Sequence, residues 1–340
     1  MTRHTQAGPR PASALSHRWA IILAGGDGTR LLPLTRRLSG DDRPKQFCRV
    51  LGAETLLDQT LRRVERIVRP DRTCSVVTKA HESFYCEHRL SRRSGGLVVQ
   101  PLNRGTCPAI VYSLMRLHKF DPQAEVAYFP SDHYFADNEA LSACVHQAFE
   151  FAESNADSVI LLGITPSRLE TEYGWIEPGD PLAATGPAAV CCVRRFWEKP
   201  PLSVASELAD RGCLWNSFIM VGSVGSFLSL VARVVPSLYS RFQGIAPALL
   251  TKYEEALMLD LYRSISSSSF CKDVLSARSE SLAVLCGGAL GWADVGDVNR
   301  ALSVMRSQPS GTEDSKEQER GRDSSRNYLE PRNDRNVSVM

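Results

Sequence analysis

Ala20-Ile21-Ile22-Leu23-Ala24 runs directly into Gly25-Gly26-Asp27-Gly28-Thr29-Arg30. Five apolar residues form a segment of strand length, apolar on both faces, as expected for a buried parallel strand. Glycine, without a Cβ, lets the backbone approach an anion and adopt positive φ, and Gly25, Gly26 and Gly28 are expected to do both. Successive N–H groups in such a loop form an anion-binding nest, and the Arg30 guanidinium can grip two phosphate oxygens. The pattern is neither G-x-G-x-x-G nor G-x-x-x-x-G-K-[ST]. Its plain structural reading is a tight strand-to-helix turn carrying a solvated arginine.

Outward from this stretch the chain alternates. Strand-like runs at Ser75–Thr78, Leu97–Gln100, Val126–Phe129 and Ser158–Gly163 are separated by helix-like segments. Leu57, Thr60, Leu61, Val64, Ile67 and Val68 share one helical face. Thr106, with Pro108 behind it, is expected to cap a helix running through Leu117, and Asn138–Ser154 reads as another. Such alternation predicts an α/β fold of Rossmann-like type, with a mostly parallel sheet and helices on both faces. Beyond residue 165 the rhythm changes to short segments, Tyr173–Pro178, Val193–Pro200 and Leu214–Val221, read as a smaller mixed α+β layer set against the first. Phe227–Val235 and Ile245–Tyr262 read as helices and Leu282–Leu285 as a last strand. The expected organisation is a disordered leader (1–17), one domain (18–306, changing character after 165) and a disordered polar tail (307–340) too poor in apolar residues to pack.

Bulk properties set limits on partners. The 340 residues carry a net charge of +2, with 43% hydrophobic and 23% charged residues, which points to no nucleic-acid or membrane partner. None of the ten cysteines forms a C-x-x-C pair, which argues against a zinc site. No signal-like apolar core is read in residues 1–17, so a cytoplasmic location with reduced thiols is expected.

Further motifs carry chemistry. Arg43-Pro44-Lys45-Gln46-Phe47 sets a lysine behind a rigid proline, where its charge can serve a phosphate. Pro130-Ser131-Asp132-His133 ends an apolar strand, and ligands of open α/β sheets sit beyond carboxyl strand ends. A carboxylate there suits Mg²⁺, though Asp132 also reads as a helix cap. Glu198-Lys199-Pro200 pairs an acceptor for sugar hydroxyls with a cation for a phosphate, or is an ordinary charge pair at a strand end. Trp215-Asn216-Ser217 offers an amide beside a large apolar surface, or a core tryptophan with a turn. Asp294, in Trp292-Ala293-Asp294-Val295-Gly296, reads as a second metal carboxylate or a turn residue.

Taken in order, these motifs resemble the sugar-1-phosphate nucleotidyltransferase (pyrophosphorylase) family over roughly residues 19–300. Leu23 to Leu31 is similar to its Leu-Ala-Gly-Gly-x-Gly-Thr-Arg-Leu signature, and Pro44 to Phe47 has the form of the lysine motif typical of the mannose enzymes. Asn103 to Ile110, Pro130 to His133, Tyr173 to Ile176, Glu198 to Pro200, Trp215 to Ser217 and Asp294 to Gly296 complete the series. The resemblance implies transfer of a guanylyl group from GTP to mannose 1-phosphate with Mg²⁺, by a homodimer. It implies catalytic roles for Arg30, Lys45 and Asp132, and nucleotide contacts from Leu23, Ala24, Gly25, Gly26, Gly28, Thr29, Gln100, Asn103 and Ser131. Tyr173, Gly174, Glu198, Lys199 and Asn216 would hold the sugar phosphate, and Asp132 and Asp294 the metal, so that 18–165 would be mainly nucleotide-binding and 166–306 mainly sugar-phosphate-binding. Three positions depart from the pattern: Glu172 and Phe218 stand where the family usually has glycine, and Cys107 where it has alanine. The alternatives are the same chemistry on glucose 1-phosphate with UTP or dTTP, and a non-catalytic regulatory subunit that senses sugar nucleotides.

Overall fold

A computed structural model describes residues 17–88, 90, 96–183 and 188–307. The expected leader and tail fall almost wholly outside the described residues. Among the described residues eleven strands are formed: β1 (Arg18–Leu23), β2 (Thr73–Thr78), β3 (Leu97–Gln100), β4 (Glu125–Pro130), β5 (His133–Tyr134), β6 (Val159–Ile164), β7 (Gly174–Ala183), β8 (Val190–Glu198), β9 (Leu214–Ser223), β10 (Leu282–Cys286) and β11 (Ala293–Asp294). Nine of them make one sheet in the order β3-β2-β1-β4-β9-β6-β10-β8-β7, while β5 and β11 pair separately. Within the large sheet β1 runs parallel to β2 and β4, β2 to β3, and β6 to β10. Strands β9 and β8 are antiparallel to their neighbours and oppose the other seven.

The sheet corrects the expectation of a second layer. Tyr173–Pro178, Val193–Pro200 and Leu214–Val221 fall largely on β7, β8 and β9, which extend the first sheet. Strand β9 enters between β4 and β6, pairing Ala127 with Val221 on one side and Ile160 with Val221 on the other. Its burial explains this: every residue from Leu214 to Val221 except Phe218 is buried, so the strand must be covered at both edges and on both faces.

Ten α-helices among the described residues flank the sheets: α1 (Leu32–Ser39), α2 (Leu56–Val64), α3 (Glu82–Glu87), α4 (Thr106–Phe120), α5 (Asn138–Ser154), α6 (Leu202–Asp210), α7 (Val224–Val234), α8 (Pro236–Ile245), α9 (Glu254–Ser264) and α10 (Val298–Ser307). Alternate residues of β1 feed opposite cores. Trp19 and Ile21 join Ile110 and Leu114 of α4 and Phe227 of α7, whereas Ala20 and Ile22 join Leu57 and Leu61 of α2 and Val145 and Phe149 of α5. A third, smaller core gathers Leu31, Val50, Leu56, Val295, Ala301 and Val304. It fastens the segments after β1 to the segment after β11.

Local signals account for several boundaries. A Thr55–Asp58 capping box opens α2, and the Asp137 carboxylate accepts from the amides of Glu139 and Ala140 to open α5. The cap expected at Thr106 belongs to Gly105, whose φ is 83°; Thr106 is the first helical residue, and its hydroxyl oxygen accepts from the Phe270 amide. The single helix expected over 245–262 is broken. Chain 236–245 is already helical, Pro247 sits in a 3₁₀ turn, and helix resumes only at Glu254. Proline lacks the N–H that an uninterrupted helix requires. Among the described residues no helix is long and apolar enough to cross a membrane.

Candidate functional site

Strands β1, β2, β3 and β4 point the same way, so the loops at their carboxyl ends converge. They open a cavity of about 370 Å³ lined by Leu23, Gly25, Gly26, Gly28, Lys45, Gln46, Gln100, Asn103, Ser131, Asp132 and Phe218, among others. Most of the expected nucleotide contacts therefore meet in one place. Two do not line it. Ala24 is fully buried in the core, with its N–H on Val76 O and its carbonyl taken by Gln46 Nε2, and Thr29 is exposed at the start of a 3₁₀ turn.

The glycine loop is shaped from within. Of its three glycines only Gly28 takes positive φ, 62°, which corrects the expectation for Gly25 and Gly26. A Cβ on Gly28 would also press on Lys45 N at 3.1 Å. Gln46 is buried, and its Nε2 donates to the carbonyls of both Ala24 and Gly26, at 2.9 and 2.8 Å. Thr78 Oγ1 donates to Gly25 O at 2.8 Å, and Asn103 Nδ2 reaches Asp27 Oδ2 at 2.8 Å. With three carbonyls held by side chains, the loop is fixed at the cavity wall. Gln46 and Thr78 received no role from the sequence. Gln46 sits beside the lysine in a rigid motif, which was the available signal; Thr78 arrives through the β1–β2 pairing and left none.

Lys45 is the electrostatic centre. Its Nζ lies 2.8 Å from Asp132 Oδ2, 3.6 Å from Asp294 Oδ1 and 2.9 Å from Val295 O. Burial opposes its charge, but Asp132 and Asp294 outweigh that cost and raise its pKa, with Arg30 close enough to push the other way. Asp132 is lowered: burial disfavours its charge and Lys45 more than compensates. Asp294 is brought opposite His133 by the β5–β11 pairing, so it stands on a short strand and not in a simple turn. His133 Nδ1 faces the Trp292 indole N–H at 3.2 Å, and burial lowers its pKa. Arg300 grips this corner through Asp297 at 3.0 Å, Glu170 at 3.3 Å and Asp294 at 3.6 Å. Nothing in the spacing of α10 marked Arg300, because its partners are set by long-range packing.

A second group sits on β7, β8 and β9. Gly174 pairs with Glu198 across the β7–β8 ladder, and a Cβ on it would stand 3.3 Å from both Asn216 Cβ and Glu198 Oε2. Asn216 is buried; its Oδ1 accepts from Phe218 N and its Nδ2 faces Cys271 Sγ. Glu198 Oε2 is buried with no hydrogen-bond partner among the described residues, as are the indole nitrogens of Trp197 and Trp215, and burial raises the Glu198 pKa. Tyr173 is buried against Trp215 and Trp292, and its carbonyl already accepts from Lys199 N. Lys199 and Phe218 both take positive φ, 47° and 63°, costly for side chains other than glycine. Phe218 joins the two groups, because it lines the cavity two residues beyond Asn216. Arg30 and Lys199 stay half-exposed, and both face Glu172.

Comparison with known proteins bears on this arrangement. A nucleotidyl transferase family model matches residues 19–310, and the chain belongs to that family. Among its relatives is a mannose-1-phosphate guanylyltransferase of Salmonella montevideo, 30% identical over 302 residues that cover 86% of this chain and 60% of the relative. A mannose-1-phosphate guanylyltransferase 2 of Escherichia coli O157:H7 is 28% identical over 290 residues, covering 82% and 58%. The chain thus spans about three fifths of the length of these relatives. A solved structure from Thermus thermophilus, described as that of a mannose-1-phosphate geranyltransferase, is 29% identical with a TM-score of 0.72, covering 86% of this chain and 80% of that one.

Proposed function

We propose that this chain catalyses nucleotidyl transfer from GTP to mannose 1-phosphate, releasing pyrophosphate and forming GDP-mannose. The observation that carries the reading is the Lys45 ammonium held between Asp132 and Asp294 at a cavity walled by the glycine loop. The substrate pair is supported by the names of the relatives. In this reading the glycine loop and Ser131 receive the nucleotide, and Gln100 and Asn103, which line the same cavity, are the candidates for contact with the base edge. Arg30 and Lys45 neutralise the triphosphate and the leaving pyrophosphate. Lys199 takes the sugar phosphate. The unpartnered Glu198 Oε2 offers an acceptor to a sugar hydroxyl, beside Asn216 and the close-packed Gly174 backbone.

The nucleophile is a phosphate oxygen, already anionic at neutral pH, so no general base is required. Bond formation at the α-phosphorus and loss of pyrophosphate then depend on alignment and charge neutralisation. Lysine and arginine supply fixed positive charge where negative charge builds up on the bridging oxygen.

The donor set fits Mg²⁺. Among the described residues no group of three or more His, Cys, Asp or Glu is arranged to hold a metal. Two carboxylates, Asp132 and Asp294, converge on one point of positive charge, and Mg²⁺ is commonly held by one or two carboxylates plus substrate phosphates. When bound, the ion would supply Lewis-acid polarisation of phosphate oxygens. The chain's own contribution is to hold the two carboxylates in place: the Lys45 charge favours the ionised form of Asp132, and Arg300 stands 3.6 Å from Asp294.

Pyrophosphate release is the test, with Mg²⁺ and with GTP, ATP, UTP, CTP and dTTP crossed against mannose 1-phosphate and glucose 1-phosphate. Release with GTP and mannose 1-phosphate is expected. Release only with glucose 1-phosphate and UTP or dTTP would overturn the substrate pair and keep the chemistry, and no release from folded protein would overturn the enzyme.

A further inference from the structure

Glu172 stands where the resemblance leads one to expect glycine, and its carboxylate occupies a telling position. Its Oε2 accepts from Arg30 Nη1 at 3.0 Å and lies 3.7 Å from Lys199 Nζ. One anionic oxygen thus faces two cations, from segments 142 and 27 residues away in the chain. In the reading above these cations serve the two different substrates. We propose that Glu172 is a resident carboxylate that takes the place of substrate phosphate between Arg30 and Lys199 and must be displaced when phosphates enter.

Three observations support this. First, the backbone of Glu172 is fixed while its side chain is not. Its amide donates to Glu170 Oε1 at 3.0 Å, and Glu170 is anchored by Arg300 and, through its carbonyl, by the Trp175 indole. The carboxylate is 46% exposed, so its rotamer can swing to water without unpacking the core. Second, Arg30 and Lys199 are 54% and 47% exposed. An ion pair this exposed is weak, and a multiply charged phosphate competes for it readily. Third, Lys199 is held at positive φ with its N–H on Tyr173 O, next to Glu172 in the chain. The strained turn fixes the lysine's backbone next to the carboxylate, so the lysine stays in place when the carboxylate leaves.

Glu172 therefore sets how strongly the free site holds small anions. With it, inorganic phosphate or pyrophosphate must compete against an intramolecular carboxylate for both cations. A substrate that also gains contacts from its base or sugar offsets that competition. The residue would bias the site toward whole substrates and against retention of the pyrophosphate product.

The proposal rests on the anion-binding reading of the cavity, and a binding measurement separates the two. Isothermal titration of pyrophosphate, without turnover, is run on the wild type, Glu172→Gln, Glu172→Gly, Arg30→Ala and the Arg30→Ala/Glu172→Gln double variant. Gln keeps the shape without the charge, and Gly restores the residue expected by resemblance. Pyrophosphate is expected to bind three- to tenfold more tightly to both Glu172 variants, with no such gain once Arg30 is gone. Equal or weaker binding to Glu172→Gln and Glu172→Gly, with the wild type still binding, overturns the carboxylate's role and leaves the anion site standing. A gain that persists without Arg30 overturns the bridge as its cause. No binding to any variant overturns the anion site itself and this inference with it.

Discussion

The two groups of site residues are built on opposite plans. Around the glycine loop, polar atoms are satisfied by the protein itself: Gln46 holds two carbonyls, Thr78 a third, and Lys45 two carboxylates and a carbonyl. Around β7, β8 and β9 they are not: Glu198 Oε2, Trp197 Nε1 and Trp215 Nε1 are buried without partners among the described residues, and Lys199 and Phe218 carry the cost of positive φ. Buried polar groups normally find partners. The first group is a rigid mould that needs no ligand to hold its shape. The second holds unmet hydrogen-bonding capacity and backbone strain, which a ligand can relieve. In the proposed reading the preformed half takes the nucleotide's phosphates, and the half with slack takes the sugar phosphate.

The comparison can be broken most sharply at Lys45. Lys45→Met removes the charge holding Asp132 and Asp294 together, and should lower kcat by a factor of about 10²–10³, roughly 3–4 kcal/mol in the transition state. Steady-state pyrophosphate release measures it, and a loss below fivefold would show that the preformed half is not the catalytic one.

A pH-dependent stability effect is expected far from the site, at the amino end of β4. Burial, with help from the Glu153 charge, pushes Glu125 up to about 7. The folded chain then binds this proton more tightly than the unfolded chain does, so stability falls as pH rises between about 4.5 and 7. Glu125→Gln should flatten that slope and add about 1–3 kcal/mol at pH 8, read by denaturant unfolding at pH 5 and pH 8. Equal slopes for the two proteins would refute it.

Gln46→Ala leaves the Ala24 and Gly26 carbonyls without their donor and should cost about 2 kcal/mol of stability, along with weaker pyrophosphate binding. If stability drops while binding is unchanged, the loop is not shaped by Gln46 as described. The smallest effect tests strain. Leu250 also takes positive φ, but outside the cavity. Leu250→Gly should stabilise by about 0.5–1 kcal/mol with unchanged KM. Phe218→Gly should instead shift the KM for the sugar phosphate, because its strain belongs to the cavity wall. Identical behaviour of the two variants in thermal melts and kinetics would remove the functional meaning of strain at Phe218.

What the sequence made legible follows the same divide. The parallel half reads well because its signals are local: an apolar run that ends in glycines, a helical segment at Asn138–Ser154, an apolar strand that leads into Ser131-Asp132. The other half depends on which strands become neighbours. Insertion of β9 between β4 and β6 could not be read from alternating motifs, and it turned an expected second layer into one continuous sheet. The Arg300–Glu170 and Glu172–Arg30 contacts arise only through long-range packing. The motif residues were found, while the groups that aim them were not. Gln46 lies inside a quoted motif and was still passed over, since its work is done on carbonyls of a loop 20 residues away.

The bond from Lys45 Nζ to Val295 O spans 250 residues. Together with β10, which lies between β6 and β8 in the sheet, it makes assembly of this centre a matter of timing on the ribosome. A nascent chain that has emerged only as far as α9 has its glycine loop and its lysine, but lacks the strand that joins β6 to β8 and the second carboxylate. The cation at the heart of the pocket gains its full set of partners only when nearly all of the described chain has been made, so this centre is among the last parts of the molecule to be assembled.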